Sequence, residues 1–435
     1  MTIESPPTAV EHCDVLIIGA GPAGMAAALA AAASGARIVI IDDNPAPGGQ
    51  IWRDGPGAHL PPQALRMREA LTRCANVRLL CGTRVVSLAG AGALLLEDSK
   101  QGWVQRYDKL ILCTGARELL LPFPGWTLPG VTGAGGLQAL VKTGLPVEGE
   151  RIVIAGSGPL LLVAAATARQ AGARVLRIAE QAGLRAVAGF AAQLLRWPGK
   201  ATQALGLANA RYRTGTHVVS AQGAGRVESV RLRHAGRETE IACDRVACGF
   251  GLVPNTELGR LLGCALTSAG GGVQALAVNS LQATSVTGVY AAGECTGIGG
   301  SERALAQGRI AGLAAVQGSA AAHAHMPERA HWQSFADQLH RHFILPPSLK
   351  TLARPDTLVC RCEDVPQAAL TGCSNWTEAK LHTRCGMGAC QGRVCGAAAH
   401  FLFGWTPPAP RPPLSPARIA TLASTALLPG HDGLP

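Results

Sequence analysis

The sequence predicts an α/β fold in which two strand–turn–helix–strand units on parallel sheets precede a small cysteine-rich module. Three observations carry this expectation. An apolar run over residues 15–18 enters a glycine-rich turn and an alanine-rich helix, and the same order returns near Ile152. Aromatic residues make up only 4% while alanine and glycine dominate, which suits helices lying close on parallel strands and not a β-sandwich. Six cysteines then crowd into residues 360–395, five of them in two short clusters.

The totals bound the problem. A chain of 435 residues suits two to three domains, and 48% hydrophobic residues can fill ordinary cores. The formal charge is +11, yet no run of five or six basic residues and no aromatic–basic interleaving occurs, so nucleic acid is excluded as a partner. The positive excess suits anionic ligands such as dinucleotides, or an acidic partner protein. The start "MTIESPPTAVEHCDV" carries acids and prolines where a signal peptide needs a basic start and an apolar run. Stretches such as "PLLLVAAATA" fall short of the roughly 20 residues of a transmembrane helix, so no transmembrane segment is expected. The expected place is a bacterial cytoplasm, peripheral to a membrane only through partners. Fourteen cysteines there read as thiols or metal ligands and not disulfides.

"CDVLIIGAGPAGMAAALAAAASGARIVIIDD" is the strongest signal. A buried strand over 15–18 enters Gly19-Ala20-Gly21-Pro22-Ala23-Gly24, a helix follows, and a second strand over 38–41 ends in Asp42. Gly19 makes the tight turn, Gly21 admits a pyrophosphate to the backbone, and Gly24 lets helix lie on strand. The helix N-terminus offers N–H groups to phosphate. Asp42 is placed to take ribose hydroxyls. The unit is Rossmann-like and reads as a dinucleotide site.

Three further motifs resemble those of the two-dinucleotide-domain flavoproteins. "GVYAAGECTGIGGSERALAQGRIAG" gives a strand over 289–292, then Gly293-Glu294 and a helix of small residues. In the resembled family an acid there, usually Asp, binds the ribityl–pyrophosphate part of FAD; Glu294 is one methylene longer. Thr114-Gly115-Ala116 in "KLILCTGARE" resembles the strand-end motif that closes the FAD fold, and Gly48-Gly49-Gln50 would lie near the isoalloxazine. The resemblance thus implies FAD.

"GERIVIAGSGPLLLVAAATARQAGARVLRIAE" repeats the unit, with Glu180 ending its second strand. In the resembled family this inserted domain holds NAD(P)H. Here Leu161 replaces the third small residue of the turn and should push the helix off the strand. The expectation is a kept fold with no NAD(P) bound. The implied organisation is an FAD-binding domain over 1–148 and 245–325, an inserted NAD(P)-binding-like domain over 149–244, a cysteine module over 350–404 and a proline-rich tail over 405–435. The tail is expected to be extended and free of chemistry, with a role as a subunit-contact strap. A disulfide reductase would need a redox Cys-x-x-Cys beside the flavin. Cys113 and Cys295 stand alone and read as buried small hydrophobes.

In the cysteine module, "LVCRCED" holds Cys360 and Cys362, and "TRCGMGACQGRVCG" holds Cys385, Cys390 and Cys395. Four thiolates hold either zinc or a [2Fe–2S] cluster, and spacing alone does not separate them. A Cys-x-Cys pair followed by a glycine-rich Cys pair resembles the bacterioferritin-associated ferredoxin. In detail it looks like the version fused to the α-type subunits of bacterial heteromeric amine dehydrogenases, the opine oxidase, hydrogen cyanide synthase and D-hydroxyproline dehydrogenase group. That resemblance spans nearly the whole chain and implies a [2Fe–2S] cluster on Cys360, Cys362, Cys390 and Cys395, with Cys385 a spare thiol. Arg361, Arg384 and Arg393 are placed to offset its charge, and Gly386, Gly388 and Gly392 to bring N–H groups to the sulfurs.

No catalytic constellation is legible: His12, His59, His217 and His382 sit in unrelated contexts. The resemblance therefore implies an FAD- and iron–sulfur-containing electron-transfer subunit. Its partner would be a catalytic FAD-dependent β subunit of amino-acid-oxidase type, with a small ferredoxin-like subunit completing the assembly. A stand-alone NAD(P)H-dependent reductase and a redox-sensing scaffold are the competing readings.

Overall fold

The computed structural model describes residues 10–269 and 273–424. The N-terminal residues 1–9 and the tail residues 425–435, on which some expectations above rest, lie outside the described residues. The chain opens with β1 (Val10–Ile18), α1 (Pro22–Ala32) and β2 (Ile38–Asp42), then α2 (Pro62–Arg73) and β3 (Val77–Cys81). Three antiparallel strands follow, β4 (Arg84–Leu88), β5 (Ala93–Glu97) and β6 (Gly102–Leu112). They form one sheet in the order β3-β2-β1-β6-β5-β4. β2 is buried at every position, as a central parallel strand covered on both faces must be.

Next come β7 (Ala116–Glu118), β8 (Val131–Gly133), α3 (Ala134–Lys142), β9 (Arg151–Gly156), α4 (Leu160–Gln170) and β10 (Arg174–Glu180). Helices α5 (Leu184–Gln193) and α6 (Pro198–Leu207) lead to β11 (Tyr212–Arg213) and the meander β12 (Thr216–Gln222), β13 (Ser229–His234) and β14 (Arg237–Ala242). β15 (Arg245–Gly249) then completes a second sheet in the order β11-β10-β9-β15-β8. The chain therefore enters this sheet at β8, before the expected boundary at 149, and leaves it after β15, beyond the expected return at 245. The reason is register: Val246 pairs with Val131 and also with Val153, so strands from both sides of the boundary close one sheet.

β16 (Leu252–Pro254) returns to pair with β7. α7 (Glu257–Leu261), β17 (Leu266–Ser268) and β18 (Gln274–Leu276) precede β19 (Val289–Ala291), which joins the first sheet beside the end of β6. α8 (Ser301–Val316) lies on α1 so closely that a Cβ on Gly308 would stand 2.1 Å from the Ala23 carbonyl oxygen. That contact explains why α1 is apolar all round: it is held between sheet and helix.

α9 (Ser319–His323) and the long α10 (Met326–His342) lead to the cysteine module. This comprises β20 (Leu358–Cys360), β21 (Val365–Pro366), α11 (Gln367–Leu370), α12 (Trp376–Thr383) and α13 (Cys395–Phe403). Val394, Ala397 and Phe401 pack against the core that β12, β13 and β15 share with Phe123 and Trp126. The tail then runs back along the first sheet and ends in α14 (Ile419–Ser424). Leu414 N–H donates to the Val86 carbonyl at 2.6 Å, and Arg418 reaches Glu97. Its described part is thus a strap within this chain.

Candidate functional site

The four glycine motifs meet at the C-terminal ends of β1, β6 and β19. A Cβ on Gly24 would stand 1.8 Å from the Gly19 carbonyl oxygen, so only glycine lets α1 lie this close to its strand. No side chain caps α1, whose N-cap is Gly21, leaving its first turn to face a phosphate. The Gly48-Gly49-Gln50 loop folds onto the same turn: Gly48 N–H donates to the Ala20 carbonyl at 2.8 Å, and Gly49 lies against Gly21. Gln50 itself is exposed and accepts from Arg53 at 2.9 Å. Gly293 packs against Ala23, bringing the late motif to the early one.

The acids do more bracing than the sequence suggested. Asp42 accepts N–H groups from Ala20 at 2.7 Å and Asn44 at 2.8 Å, so it ties the turn to the strand end. Glu294 accepts from Gly300 N–H at 3.3 Å at the start of α8, and burial pushes its carboxyl above the ordinary value. Gly293 N–H donates to Gln307, a contact with no signal in the motif. Cys113 and Cys295 are buried, and burial pushes the Cys295 thiol up to about 11, so neither offers a ready thiolate.

In the second unit the equivalent turn is already occupied. Glu180 is fully buried and accepts Gly158 N–H at 2.7 Å and Ala182 N–H at 2.8 Å. Leu161, in the first turn of α4, is fully buried in the core with α3 and β9. Phe343 and Ile344, where the chain leaves α10, lie over the turn: the Phe343 ring stands 4.0 Å from a Cβ on Gly158, and Gln181 donates to the Ile344 carbonyl at 3.3 Å. A dinucleotide on this turn would need the same N–H and the same space.

The cysteine module gathers its thiols. The Sγ atoms of Cys360, Cys385 and Cys395 lie within 4.8 Å of one another, and all three residues are buried. Cys390 is held well below the ordinary thiol value, down to about 4, first by its hydrogen bond with Cys395 and further by N–H groups of Val394 and Gly392. Cys362 is exposed and in hydrogen-bond contact with Cys390. A Cβ on Gly388 would fall 2.3 Å from the Cys362 Cβ, and one on Gly386 would fall 2.4 Å from the Trp376 ring. Five thiols and the N–H groups of Val394 and Gly392 are a donor set that fits a thiolate-held metal centre. The arginines expected to face it are engaged elsewhere: Arg384 with Glu363 at 2.7 Å, Arg361 over the Trp126 ring, Arg393 with the Leu414 carbonyl at 2.6 Å. Cys385, set aside from sequence, belongs to the buried trio; the even spacing of 385, 390 and 395 was its only signal.

The two regions are stitched together from Thr114 of the strand-end motif by residues that carry no motif. Thr114 donates to the Asn255 carbonyl at 2.6 Å, and Asn255 Nδ2 returns a bond to the Thr114 carbonyl at 2.8 Å. Arg117 donates to Asn255 Oδ1 at 2.8 Å and, through Nε, to the Arg393 carbonyl at 2.9 Å, between Cys390 and Cys395. Glu257 pairs with Arg117 at 2.9 Å. Trp126 Nε1 donates to the Leu358 carbonyl at 2.7 Å, fixing the strand that bears Cys360.

A family model described as pyridine nucleotide-disulphide oxidoreductase matches residues 13–319. The chain belongs to this family. Within it, the A subunit of opine oxidase from Rhizobium meliloti (strain 1021) is 34% identical over 94% of this chain and 98% of its own length. The HcnB subunit of hydrogen cyanide synthase from Pseudomonas aeruginosa is 33% identical over 87% of this chain and 90% of its own. The chain is an FAD-dependent oxidoreductase of the same kindred. Among solved structures, L-proline dehydrogenase from P. horikoshii matches with a TM-score of 0.66 over 95% of this chain and 80% of that one, at 19% identity. Thioredoxin reductase of T. acidophilum matches at 0.53 over 71% and 98%, with 24% identity. At these identities the likeness is one of fold. No helix among the described residues is long and apolar enough to cross a membrane.

Proposed function

We propose that this chain is the electron-transferring subunit of a heteromeric dehydrogenase oxidising an amino acid or secondary amine of the D-hydroxyproline, opine or glycine type. It holds FAD on the first unit and a [2Fe–2S] centre on Cys360, Cys362, Cys390 and Cys395. It relays electrons from a catalytic FAD-dependent subunit of amino-acid-oxidase type toward an acceptor, with a small ferredoxin-like chain as a further member. The observation that carries this reading is the bridge Thr114–Asn255–Arg117–Arg393, which ties the strand-end turn of the first unit to the loop between two thiol ligands.

When bound, FAD exchanges electrons in pairs and a [2Fe–2S] centre singly, so the two together supply a two-to-one conversion. The chain's own residues bind and orient. Gly19, Gly21, Pro22, Ala23 and Gly24 shape the pyrophosphate turn, and Asp42 braces it. Gly49, Gln50, Thr114, Gly115, Gly293 and Glu294 complete the cradle. Gly388 leaves room for Cys362, and Arg117 fixes the loop from Cys390 to Cys395. The relation to the opine oxidase chain over nearly its whole length supports placing the substrate chemistry on a partner subunit. Glu180, Phe343 and Ile344 on the second turn support a partner, and not NAD(P)H, as the electron source.

The test is an anaerobic titration of the purified chain with NADH, following flavin absorbance, then with dithionite. The expected outcome is no bleaching by NADH and full bleaching by dithionite, with iron and acid-labile sulfide present in equal amounts. Rapid stoichiometric bleaching by NADH would hand the chain to the reductase reading.

A further inference from the structure

We infer that the outward face of α5 binds the surface of an anionic lipid bilayer, with Leu184 and Leu195 entering the headgroup layer and Arg185 and Arg196 meeting lipid phosphates. This contact is independent of the cofactor assignments. It belongs to the chain itself, where the sequence suggested a membrane reached only through partners.

α5 and the single 3-10 turn that follows it are apolar on two faces. Phe190, Leu194 and Trp197 turn inward to an aromatic core with Phe335. Leu184, Ala188, Ala191 and Leu195 recur at steps of four, three and four residues, which sets them on one stripe, and all four are exposed. Leu184 is 70% and Leu195 80% exposed, about 16 Å apart along the axis. Ile344, 65% exposed, stands near the start of the stripe, because its carbonyl accepts from Gln181, three residues before Leu184. On α6, Leu205 is 76% exposed. A helix apolar on more than its core-facing side calls for a cover.

Charge says what kind of cover. From residue 160 to residue 213 the chain carries seven arginines and one lysine against a single acid, Glu180, which is buried. Lys200 pairs with Glu302 at 2.7 Å. None of the seven arginines has a carboxylate partner among the described residues. Arg185 and Arg196 are exposed and edge the stripe, each one residue beyond a stripe leucine.

A second copy of the chain would bring the same unpaired cations together, and like charges repel. A rigid acidic protein would need matching pockets for leucines that protrude at both ends of a flat alanine stretch. The stripe also lacks the aromatic anchors on which protein interfaces mostly rely. A lipid surface closes around protruding leucines, and its phosphates take guanidinium groups in pairs of hydrogen bonds.

The experiment measures flotation of the purified full-length chain with vesicles of phosphatidylcholine alone, and of phosphatidylcholine with roughly 30% phosphatidylglycerol. The expected result is binding to the second kind only, weakened in about 0.5 M NaCl. Binding should fall at least about tenfold in Leu184→Ser with Leu195→Ser, and as far in Arg185→Gln with Arg196→Gln. Both double variants should keep the flavin content and circular dichroism of the wild type, since the four side chains are exposed. Wild-type chain that fails to float with the anionic vesicles would overturn the inference. So would equal flotation of wild type and both variants, which would move the lipid contact off α5. A concentration-dependent dimer that the leucine variant loses would give the face to a second copy and overturn it too.

Discussion

Asp42 and Glu180 end equivalent strands and both turn back to their glycine loops, yet their surroundings differ. Glu180 has no exposed surface, and burial pushes its carboxyl from an ordinary 4.5 up to about 7, against the hydrogen bonds from Ala182, Gly158 and Tyr212 that favour ionisation. An acid with a raised folded value keeps its proton longer in the native state than in the unfolded one. Between pH 4.5 and about 7 the native chain therefore binds more protons, and its stability falls as pH rises through that window. The full loss is on the order of 3 kcal/mol. Glu180→Gln removes this titration. Urea unfolding at a series of pH values is expected to show a flatter profile from pH 4.5 to 7 in the variant, and an identical slope would sink the assignment.

At the scale of elements, the telling feature is how α10 ends. Phe190, Trp197 and Phe335 form an aromatic core that seats α10 on α5, and this carries Phe343 and Ile344 to the second glycine turn. The sequence flagged Leu161 as the obstacle to a dinucleotide, and Leu161, in the first turn of α4, is fully buried in the core with α3 and β9. It did not reveal the covering segment, because Ile344 and Gln181 are 163 residues apart and no local pattern links them. The first unit was legible for the opposite reason: its strand, turn, helix and acid lie within residues 15–42, so periodicity and spacing carry the whole argument. Leu161→Gly alone is therefore expected to leave NADH unbound up to about 1 mM by calorimetry. Binding is expected only when Phe343→Gly and Ile344→Gly open the turn and Glu180→Gln eases its hold on Gly158 N–H. Tight binding by the Leu161→Gly chain would show that the covering segment does not exclude the ligand.

Across the whole molecule, the cysteine module is held from three sides: by Arg117 and Asn255, by the tail, and by Trp126 with the core around Phe401. The cysteines themselves could be read from spacing. Arg117 and Asn255 could not, since a lone arginine and a turn asparagine carry no pattern until the fold sets them between two regions. Nor could the tail's place within this chain, since its prolines suggested an extended strap for another subunit. The tail matters to the site because it grips Arg393 from the other side: Arg117 takes the Arg393 carbonyl, while the Arg393 guanidinium donates to the Leu414 carbonyl at 2.6 Å. Leu414 is buried against the first sheet, and Arg418 donates to Glu97 at 2.9 Å and to the Asp98 carbonyl at 2.9 Å. Burying one leucine side chain is worth about 1.5–3 kcal/mol. Losing that anchor with its hydrogen bonds should raise the population of undocked module by roughly ten- to a hundredfold. A chain ending at Trp405, and separately Leu414→Asp, are thus expected to keep their flavin but to be cut by trypsin at the exposed Lys350 at least about tenfold faster than wild type. The Leu414→Asp chain guards against a truncation that merely misfolds. Cleavage at the wild-type rate in both would mean that Trp126, Arg117 and the core around Phe401 hold the module unaided, and the strap would lose its part in setting the loop between Cys390 and Cys395.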